Sequence, residues 1–219
     1  MDIVQILILF PTFLFSGVIH EVAHGAAALH FGDPTAKDQG RLTLNPIVHL
    51  DPVMSLIVPL VVYLSSGFIF GGMKPVPFNP ARFHPGTDIK RAIMWVAAAG
   101  PISNYLLAFF SLLISAQLGS MIGNSYDYSI VSKVFQAMFI VNLILGTFNL
   151  LPIPPLDGAK VLAGLLPDAL AFKLYQLERY AFIFIIIIIA TPVSQLIWGP
   201  MNFIKLSMVK VVGFLIGGS

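Results

Sequence analysis

The chain has 219 residues, of which 57% are hydrophobic and only 10% are charged, and its mean hydropathy is +0.89. This composition excludes a soluble domain and predicts an all-α polytopic membrane protein. The net charge of +2 comes with no basic cluster, so we expect the lipid bilayer and no nucleic acid as a partner. Cysteine is absent, which excludes disulfides and thiolate ligands and leaves His, Asp and Glu for any zinc site.

The first apolar run, residues 3–31, predicts a membrane helix kinked at Pro11. It is too long for the apolar core of a signal peptide and lacks a cationic leader, so we expect it to be retained. Inside it, His20, Glu21 and His24 form a His-Glu-x-x-His motif. Residues four apart share a helix face, so both histidines can hold one metal ion while the glutamate reaches a water on it. This is the arrangement of zinc metalloproteases.

The alternative for this motif is two core histidines beside a solvated glutamate. The surrounding sequence argues against it, because His30 is the only other charge-capable side chain between Ile3 and Phe31. A carboxylate in the bilayer costs on the order of 2–3 kcal/mol, which makes an intramembrane Glu21 a functional candidate.

A polar, turn-rich stretch follows at residues 33–52. Residues 41–44 are a candidate short strand. His49 and Asp51 also fall in this stretch, and two interpretations apply to them. They are either ligands of a second metal ion or ordinary capping and turn residues at a helix entry, and the second interpretation is favoured.

Two clear spans lie at 92–117 and 130–151, whereas the apolar run 53–70 is short for a span and contains a proline. The first helix carries its motif near its C-terminal end, and Asp157 follows the end of the 130–151 span. If these ends meet, an even number of crossings separates them, and the two clear spans already supply two. We therefore predict that 53–72 is re-entrant, or that the glycine- and proline-rich stretch after it returns into the membrane.

Positive charge is distributed unevenly between the two faces that this topology implies. Without a net crossing by 53–72, residues 33–91 and 158–179 share one face. Their basic residues are Lys37, Arg41, Lys74, Arg82, Lys90, Arg91, Lys160, Lys173 and Arg179. The opposite loop, 118–129, contains no Lys or Arg, and only Lys133 lies near it. Positive loops are cytoplasmic, so we expect a multi-pass protein of the cell membrane whose site opens nearer the cytoplasm.

The 130–151 span ends in a helix-breaking sequence that runs Asn149-Leu150-Leu151-Pro152-Ile153-Pro154-Pro155-Leu156-Asp157-Gly158. Non-helical backbone at membrane depth survives only where protein or a wet cavity covers it. Asp157 sits on this broken end and is the best candidate for a third ligand, because a catalytic zinc takes three protein ligands and leaves one position open. The alternative for Asp157 is an ordinary Asp-Gly turn.

The C-terminal part begins with an amphipathic segment at 168–179 and a span at 180–198. Residues 201–216 are either a final span or a helix lying in the membrane interface. Together the elements predict a bundle of about five to six helices with a re-entrant or short strand-containing loop region. The core is expected over 1–165, with accessory helices over 166–219.

Three segments, in this order, resemble the site-2 protease family of intramembrane zinc metalloproteases. They are His20-Glu21-Val22-Ala23-His24, Gly100-Pro101-Ile102-Ser103-Asn104 and the proline-rich run from Asn149 to Gly158. The resemblance covers roughly residues 1–165 and is to a short form without a PDZ-like domain.

The resemblance implies a single membrane-embedded protease domain over 1–219 with one zinc ion. The zinc ligands that it implies are His20, His24 and Asp157. It makes Glu21 the catalytic base and places Asn149 near the site, where the side-chain amide could bind the developing oxyanion. A helix-end cap is the alternative role for Asn149, and for Asn104 we expect a role in helix packing.

The implied reaction is peptide hydrolysis within or near the bilayer, with a transmembrane segment of a membrane protein as substrate. An edge strand from residues 41–44 or 74–78 could hold the unwound substrate by β-addition. The rival classes are a metal-ion transporter, because intramembrane His and Asp also mark ion paths, and a catalytically inactive membrane scaffold. Glu21 argues against the transporter, which needs no non-ligand carboxylate there. The intact set of His20, Glu21, His24 and Asp157 argues against the scaffold.

Overall fold

The computed structural model of the chain describes residues 3–61, 71–121, 126–181, 183–184 and 195–217. The regular structure of these residues is helical, and none of them lies in a β-strand. Within the described residues, four helices are long and apolar enough to cross a membrane, which confirms the all-α polytopic fold. They are α1 (Ile3–His30), α4 (Ile89–Met121), α5 (Tyr126–Asn149) and α8 (Gln195–Gly217).

Short helices and turns connect the long ones. The short helices are α2 (Thr35–Asp38), α3 (Pro52–Val61, which begins as a π-helical segment), α6 (Asp157–Leu165) and α7 (Asp168–Gln176). Single 3₁₀ turns lie at Pro46–His49, Pro80–Arg82 and Leu177–Tyr180. Three of these elements begin with a proline whose preceding residue, Asn45, Asp51 or Asn79, caps the turn with a side-chain oxygen. Proline at the first position after such a cap is a strong start signal.

Helices α1, α4 and α5 pack against one another and form the centre of the bundle. Small residues allow their close approach: a Cβ on Gly146 of α5 would lie 3.2 Å from the carbonyl oxygen of Pro101 in α4. Close contacts of this kind are how helices associate when lipid surrounds them. A buried apolar cluster of Ala28, Val96 and Phe83 then closes the end of the bundle where α1 stops and α4 starts.

The last helix, α8, packs on the middle of the bundle. Met201 lies in one buried cluster with Ala108 of α4 and with Phe139 and Leu143 of α5. Ala108 and Phe139 lie well inside α4 and α5, so the packing favours a final span over a helix in the interface. The span predicted at 180–198 lies mostly outside the described residues.

The end of α1 and the start of α4 lie side by side. The backbone N–H of His84 donates a 2.8 Å hydrogen bond to the carbonyl of Phe31. Two residues in direct contact lie on the same side of a membrane, so the chain between α1 and α4 makes no net crossing.

The residues on either side of the stretch 62–70 are hydrogen-bonded to one another. The N–H of Gly72 donates to the carbonyl of Met54 at 2.9 Å, and the hydroxyl of Ser55 donates to the carbonyl of Gly72 at 2.7 Å. Residues 54 and 55 therefore lie next to residue 72, which agrees with the re-entrant alternative for 53–72. Residues 62–70 lie outside the described residues.

The predicted strand at 41–44 is wrong, and residues 74–78 likewise form no strand. The facing stretch contains Pro75 and Pro77, which have no N–H for a strand ladder. The side chain of Arg41 makes the connection instead, because its Nη2 donates to the carbonyl of Lys74 at 2.7 Å.

Helix ends also differ from the sequence prediction. The loop predicted at 118–129 is shorter, because α4 continues to Met121 and α5 begins at Tyr126. Residues 122–125 lie outside the described residues.

Candidate metal centre

The C-terminal third of α1 places His20 and His24 one turn apart on its buried face. Their exposed fractions are 7% and 9%. The rings meet edge to face with their centroids 4.6 Å apart, and the two Nε2 atoms are 3.0 Å apart. The spacing of four residues thus aims both nitrogens at one point, as the motif predicts.

Asp157 reaches the same point from the far end of the sequence. It is the first residue of α6, which starts after the proline-rich break that follows α5. Its Oδ2 lies 3.0 Å from Nε2 of His20 and 3.2 Å from Nε2 of His24. In the described part of the chain, these three residues form the one group of His, Cys, Asp or Glu side chains that could hold a metal ion.

Glycine at 158 makes this arrangement possible. A Cβ at Gly158 would overlap the carbonyl oxygens of Leu150 and Leu151. The chain can therefore fold back against the last turn of α5 only where the side chain is missing, and this return delivers Asp157 to the histidines.

The remaining ring nitrogens of both histidines are engaged on α4. Nδ1 of His24 lies 2.7 Å from the carbonyl oxygen of Val96, and Nδ1 of His20 lies 2.7 Å from Oδ1 of Asn104. A carbonyl oxygen only accepts hydrogen bonds, so Nδ1 of His24 carries the proton. Its Nε2 then presents a lone pair to the centre, which is the usual state of a metal-bound imidazole.

The donor set fits a divalent cation. Two imidazole lone pairs and a carboxylate oxygen converge within 3.2 Å of one another, and a cation between them removes their mutual repulsion. Tetrahedral ligands at zinc bond lengths of about 2.0–2.1 Å lie about 3.3–3.4 Å apart, so these atoms need only move outward by a few tenths of an ångström. Two nitrogens and one oxygen also match a catalytic zinc with an open fourth position.

Gly100 of α4 forms the wall behind the histidines. A Cβ there would lie 2.6 Å from Cε1 of His24 and 2.7 Å from Cε1 of His20. No real Cβ approaches that closely, so the helix can back the imidazoles only with glycine at this position.

Glu21 of α1 is hydrogen-bonded to a residue in the stretch 71–79, which we name the cover segment. Its Oε2 accepts a 2.8 Å hydrogen bond from the backbone N–H of Val76. Two buried side chains of the cover segment fit the glycines of α1: Met73 packs where a Cβ of Gly17 would be, and Val76 contacts the same position at Gly25. The glycines on either side of the motif thus receive the segment that bonds Glu21.

Polar contacts to Asp33 hold the C-terminal end of the cover segment. The N–H of Asn79 donates to Oδ2 of Asp33, and both the N–H and the hydroxyl of Thr35 donate to Oδ1. Burial raises the pKa of Asp33, but these hydrogen bonds stabilise the carboxylate more strongly and leave the pKa below its usual value. An ionised Asp33 therefore ties the cover segment to the loop after α1.

Asn149 makes a helix-end contact. Its Nδ2 donates to the carbonyl of Leu145, one turn earlier in α5, at 3.0 Å. This bond belongs to the capping role, and a role in stabilising an oxyanion stays a prediction.

His49 and Asp51 make local bonds of the kind expected for turn residues. Nε2 of His49 lies 2.9 Å from the carbonyl oxygen of Thr43, and Oδ1 of Asp51 accepts from the N–H groups of Val53 and Met54 at the start of α3. Neither residue belongs to a metal-ligating group among the described residues.

The sequence analysis missed the hydrogen-bond partners behind the histidines. It assigned Asn104 to helix packing, but the side chain faces Nδ1 of His20 and also bonds Asn142 of α5 at 2.8 Å. Both asparagines are completely buried. An asparagine in the middle of an apolar span is the sequence signal that could have indicated them.

Comparison with known proteins identifies the family. The model of peptidase family M50 matches residues 47–192, about two thirds of the chain. The chain belongs to peptidase family M50. The matched region of this M50 peptidase contains Asn104, Asn149 and Asp157 and begins after the His20–His24 motif.

Individual relatives extend the match over most of the chain. A Bacillus subtilis protein, YwhC, named as a candidate zinc metalloprotease, is 38% identical over 203 residues, which are 91% of this chain and 88% of that protein. The Mycolicibacterium smegmatis protein Rip2, named in the same way, is 29% identical over 179 residues, which are 82% of this chain and 65% of that protein. No solved structure matches the chain significantly.

The M50 peptidase is thus an intramembrane zinc metalloprotease and a multi-pass membrane protein. These findings confirm the resemblance to site-2 proteases and do not favour the metal-ion transporter or the inactive scaffold. The extent of the protease domain over 1–219 stays a prediction.

Proposed function

We propose that this peptidase holds one zinc ion through His20, His24 and Asp157 and hydrolyses peptide bonds within or near the transmembrane segments of membrane proteins. The observation that carries the proposal is the convergence of two imidazole nitrogens and one carboxylate oxygen within 3.2 Å of one another. When bound, zinc would polarise the scissile carbonyl and lower the pKa of a bound water to about 7.

Glu21 is the general base of the proposed reaction. It lies beside the first histidine, and no candidate ligand bonds its carboxylate among the described contacts. The carboxylate takes a proton from the attacking water and passes it to the leaving amine. The Val76 N–H holds one of its oxygens, so the side chain enters the reaction with a fixed orientation.

Asn149 is proposed to donate a hydrogen bond to the developing oxyanion. One of its two amide protons is used by Leu145 in the free protein, and the second is the donor that this role requires. The residue ends α5, and the break that follows it carries Asp157.

The substrate must present an unwound peptide, because a helical segment hides its carbonyls in its own hydrogen bonds. The cover segment lies against Glu21 and is rich in proline, so the substrate has to pass it or displace it. Passage of the substrate past the cover segment therefore favours a transmembrane segment that has helix-weakening residues near the level of the zinc site.

The site is proposed to open nearer the cytoplasmic side of the cell membrane. The end of α1, the start of α4 and the end of α5 all lie at the metal centre, and the basic loops follow these ends. Positively charged loops remain in the cytoplasm during insertion.

One experiment separates base from ligands. Purified wild type and Glu21→Gln are compared for zinc content and for cleavage of a model transmembrane peptide. Glutamine keeps an oxygen for the Val76 N–H, so we expect about one zinc per chain in both proteins and loss of most cleavage in the variant. Cleavage at the wild-type rate by Glu21→Gln would show that the proposed mechanism is wrong.

A further inference from the structure

A continuous series of hydrogen bonds between side-chain amides leads from the interior of α5 to the metal centre. Nδ2 of Asn142 donates to the carbonyl of Met138 and to Oγ of Ser16, each at 2.8 Å. Its Oδ1 accepts from Nδ2 of Asn104 at 2.8 Å. The same Asn104 nitrogen lies 3.3 Å from the carbonyl oxygen of Ser16, and Oδ1 of Asn104 lies 2.7 Å from Nδ1 of His20.

The Met138 carbonyl at one end of this series fixes which atoms donate and which accept along all of it. A backbone carbonyl only accepts, so the atom of Asn142 that faces Met138 is its amide nitrogen. Its oxygen then faces Asn104, which turns its own nitrogen to Asn142 and its oxygen to His20. The facing nitrogen of His20 must therefore carry the proton, which leaves the lone pair on Nε2 at the metal centre.

Because these side chains are buried, the amides cannot reverse without losing their hydrogen-bond partners. Ser16, Asn104 and Asn142 have no exposed surface, and they lie in helices that cross the membrane. No bulk water is available to satisfy a reversed amide, so each group depends on the next one for its partner. All four N–H bonds of the two side-chain amides are used in the observed direction, and a reversal would place like groups face to face.

We infer that Asn142 is a positioning residue, which fixes the Asn104 amide and thereby the His20 tautomer that can bind zinc. The inference rests on the proposed zinc site. Without Asn142, only the longer 3.3 Å contact to the Ser16 carbonyl opposes a half-turn of the Asn104 amide, and the rotated amide presents its NH₂ group to His20. The ring then carries its proton on Nε2, where it blocks the lone pair that the metal needs.

The test measures zinc affinity of the purified full-length chain by competition with a chelator. Partners behind a metal-bound histidine typically contribute 10- to 100-fold in metal affinity, so we expect Asn142→Ala to weaken zinc binding by about 10-fold or more. Thr147→Val is the matched control, because Thr147 is also buried on α5 and bonds Tyr105 of α4 at 3.2 Å. We expect it to leave zinc affinity unchanged, since none of its hydrogen bonds leads to His20.

A second substitution distinguishes positioning from a general structural effect. Asn104→Asp, introduced into the Asn142→Ala background, replaces the amide by a carboxylate. A carboxylate only accepts hydrogen bonds, so in either orientation it accepts one from the Nδ1–H of His20. We expect this double variant to recover most of the lost zinc affinity.

Each outcome tests a different part of the inference. A wild-type protein that binds no zinc would contradict the proposed function itself. Wild-type zinc binding with equal affinity in Asn142→Ala would overturn the inference and leave the zinc site standing. Weakened binding in Asn142→Ala without recovery by Asn104→Asp would also overturn it, because Asn142 would then act only through packing.

Discussion

The backbone N–H of Val76 donates a 2.8 Å hydrogen bond to Oε2 of Glu21. Val76 stands between Pro75 and Pro77, neither of which has an N–H to offer. Val76 lies 55 residues after Glu21, and it carries the one backbone N–H between Pro75 and Pro77. The glycines of α1 provide the space in which this part of the cover segment packs.

The first prediction follows from this bond. Val76→Pro removes the N–H and releases the Glu21 carboxylate, whereas Val76→Ala keeps the N–H and loses only side-chain packing. A hydrogen bond to a charged group contributes about 1.5–3 kcal/mol, so we expect Val76→Pro to lower kcat about 10- to 100-fold with zinc content unchanged. Peptide cleavage by the two variants checks this, and equal activities would show that the bond does not orient the base.

The second prediction concerns the ligands. His24→Ala or Asp157→Ala leaves two ligands, so we expect loss of bound zinc and of peptide cleavage. His30→Ala is the control, because His30 is an exposed histidine of the same helix. Metal analysis of the purified proteins is the measurement, and full zinc in either ligand variant would refute the assignment.

The third prediction concerns the wall of the centre. Gly100→Ala places a methyl group 2.6 Å from Cε1 of His24, so the imidazole must shift or α4 must withdraw. We expect zinc affinity to fall at least about 10-fold, the scale of a misplaced ligand. Gly213→Ala in α8 is the control, since a Cβ there meets nothing within 4 Å. Unchanged affinity in Gly100→Ala would mean that the contact is relieved without cost.

The fourth prediction concerns pH and Asp33. Its pKa is lower in the folded protein than in the unfolded chain, because hydrogen bonds from Thr35 and Asn79 outweigh the opposing effect of burial. The stabilisation is therefore complete above the ordinary aspartate pKa and is lost as the pH falls through the folded value. We expect the melting temperature of the wild type to fall more steeply with acidification below that range than that of Asp33→Asn. The variant should also be about 1–3 kcal/mol less stable near neutral pH.

Thermal unfolding in detergent at a series of pH values measures both effects. Parallel melting curves for wild type and Asp33→Asn would show that another group accounts for the acid sensitivity.

The fifth prediction concerns topology. The chain has no native cysteine, so single cysteines report orientation without background. Positions 38 and 84, to be changed to cysteine, lie on the same side of the bundle. Asp38 forms an ion pair with Arg82 at 3.3 Å, and the N–H of His84 bonds the carbonyl of Phe31. We expect both to be labelled from the cytoplasmic side and Gly119→Cys, near the end of α4, from the opposite side. Labelling of positions 38 and 84 from opposite faces would exclude the topology.

The sequence by itself determined the class of the protein and the chemistry of its site. Long apolar runs specify spans because a backbone in lipid must satisfy its own hydrogen bonds. The four-residue spacing of His20 and His24 specifies a shared face because the helix has a fixed period. Asp157 was recognisable because a carboxylate on a broken helix at membrane depth is costly unless it has a function.

Only the tertiary structure decided which groups support these residues. The bonds from His20 to Asn104 and from His24 to Val96 join positions 84 and 72 residues apart, and no local pattern encodes such pairs. The predicted strand at 41–44 failed for the same reason: a strand needs a partner with free N–H groups, and the segment that folds against it is rich in proline. Local periodicity fixes helices and the faces that they present, whereas partners across the bundle are fixed by packing, which depends on the whole chain at once.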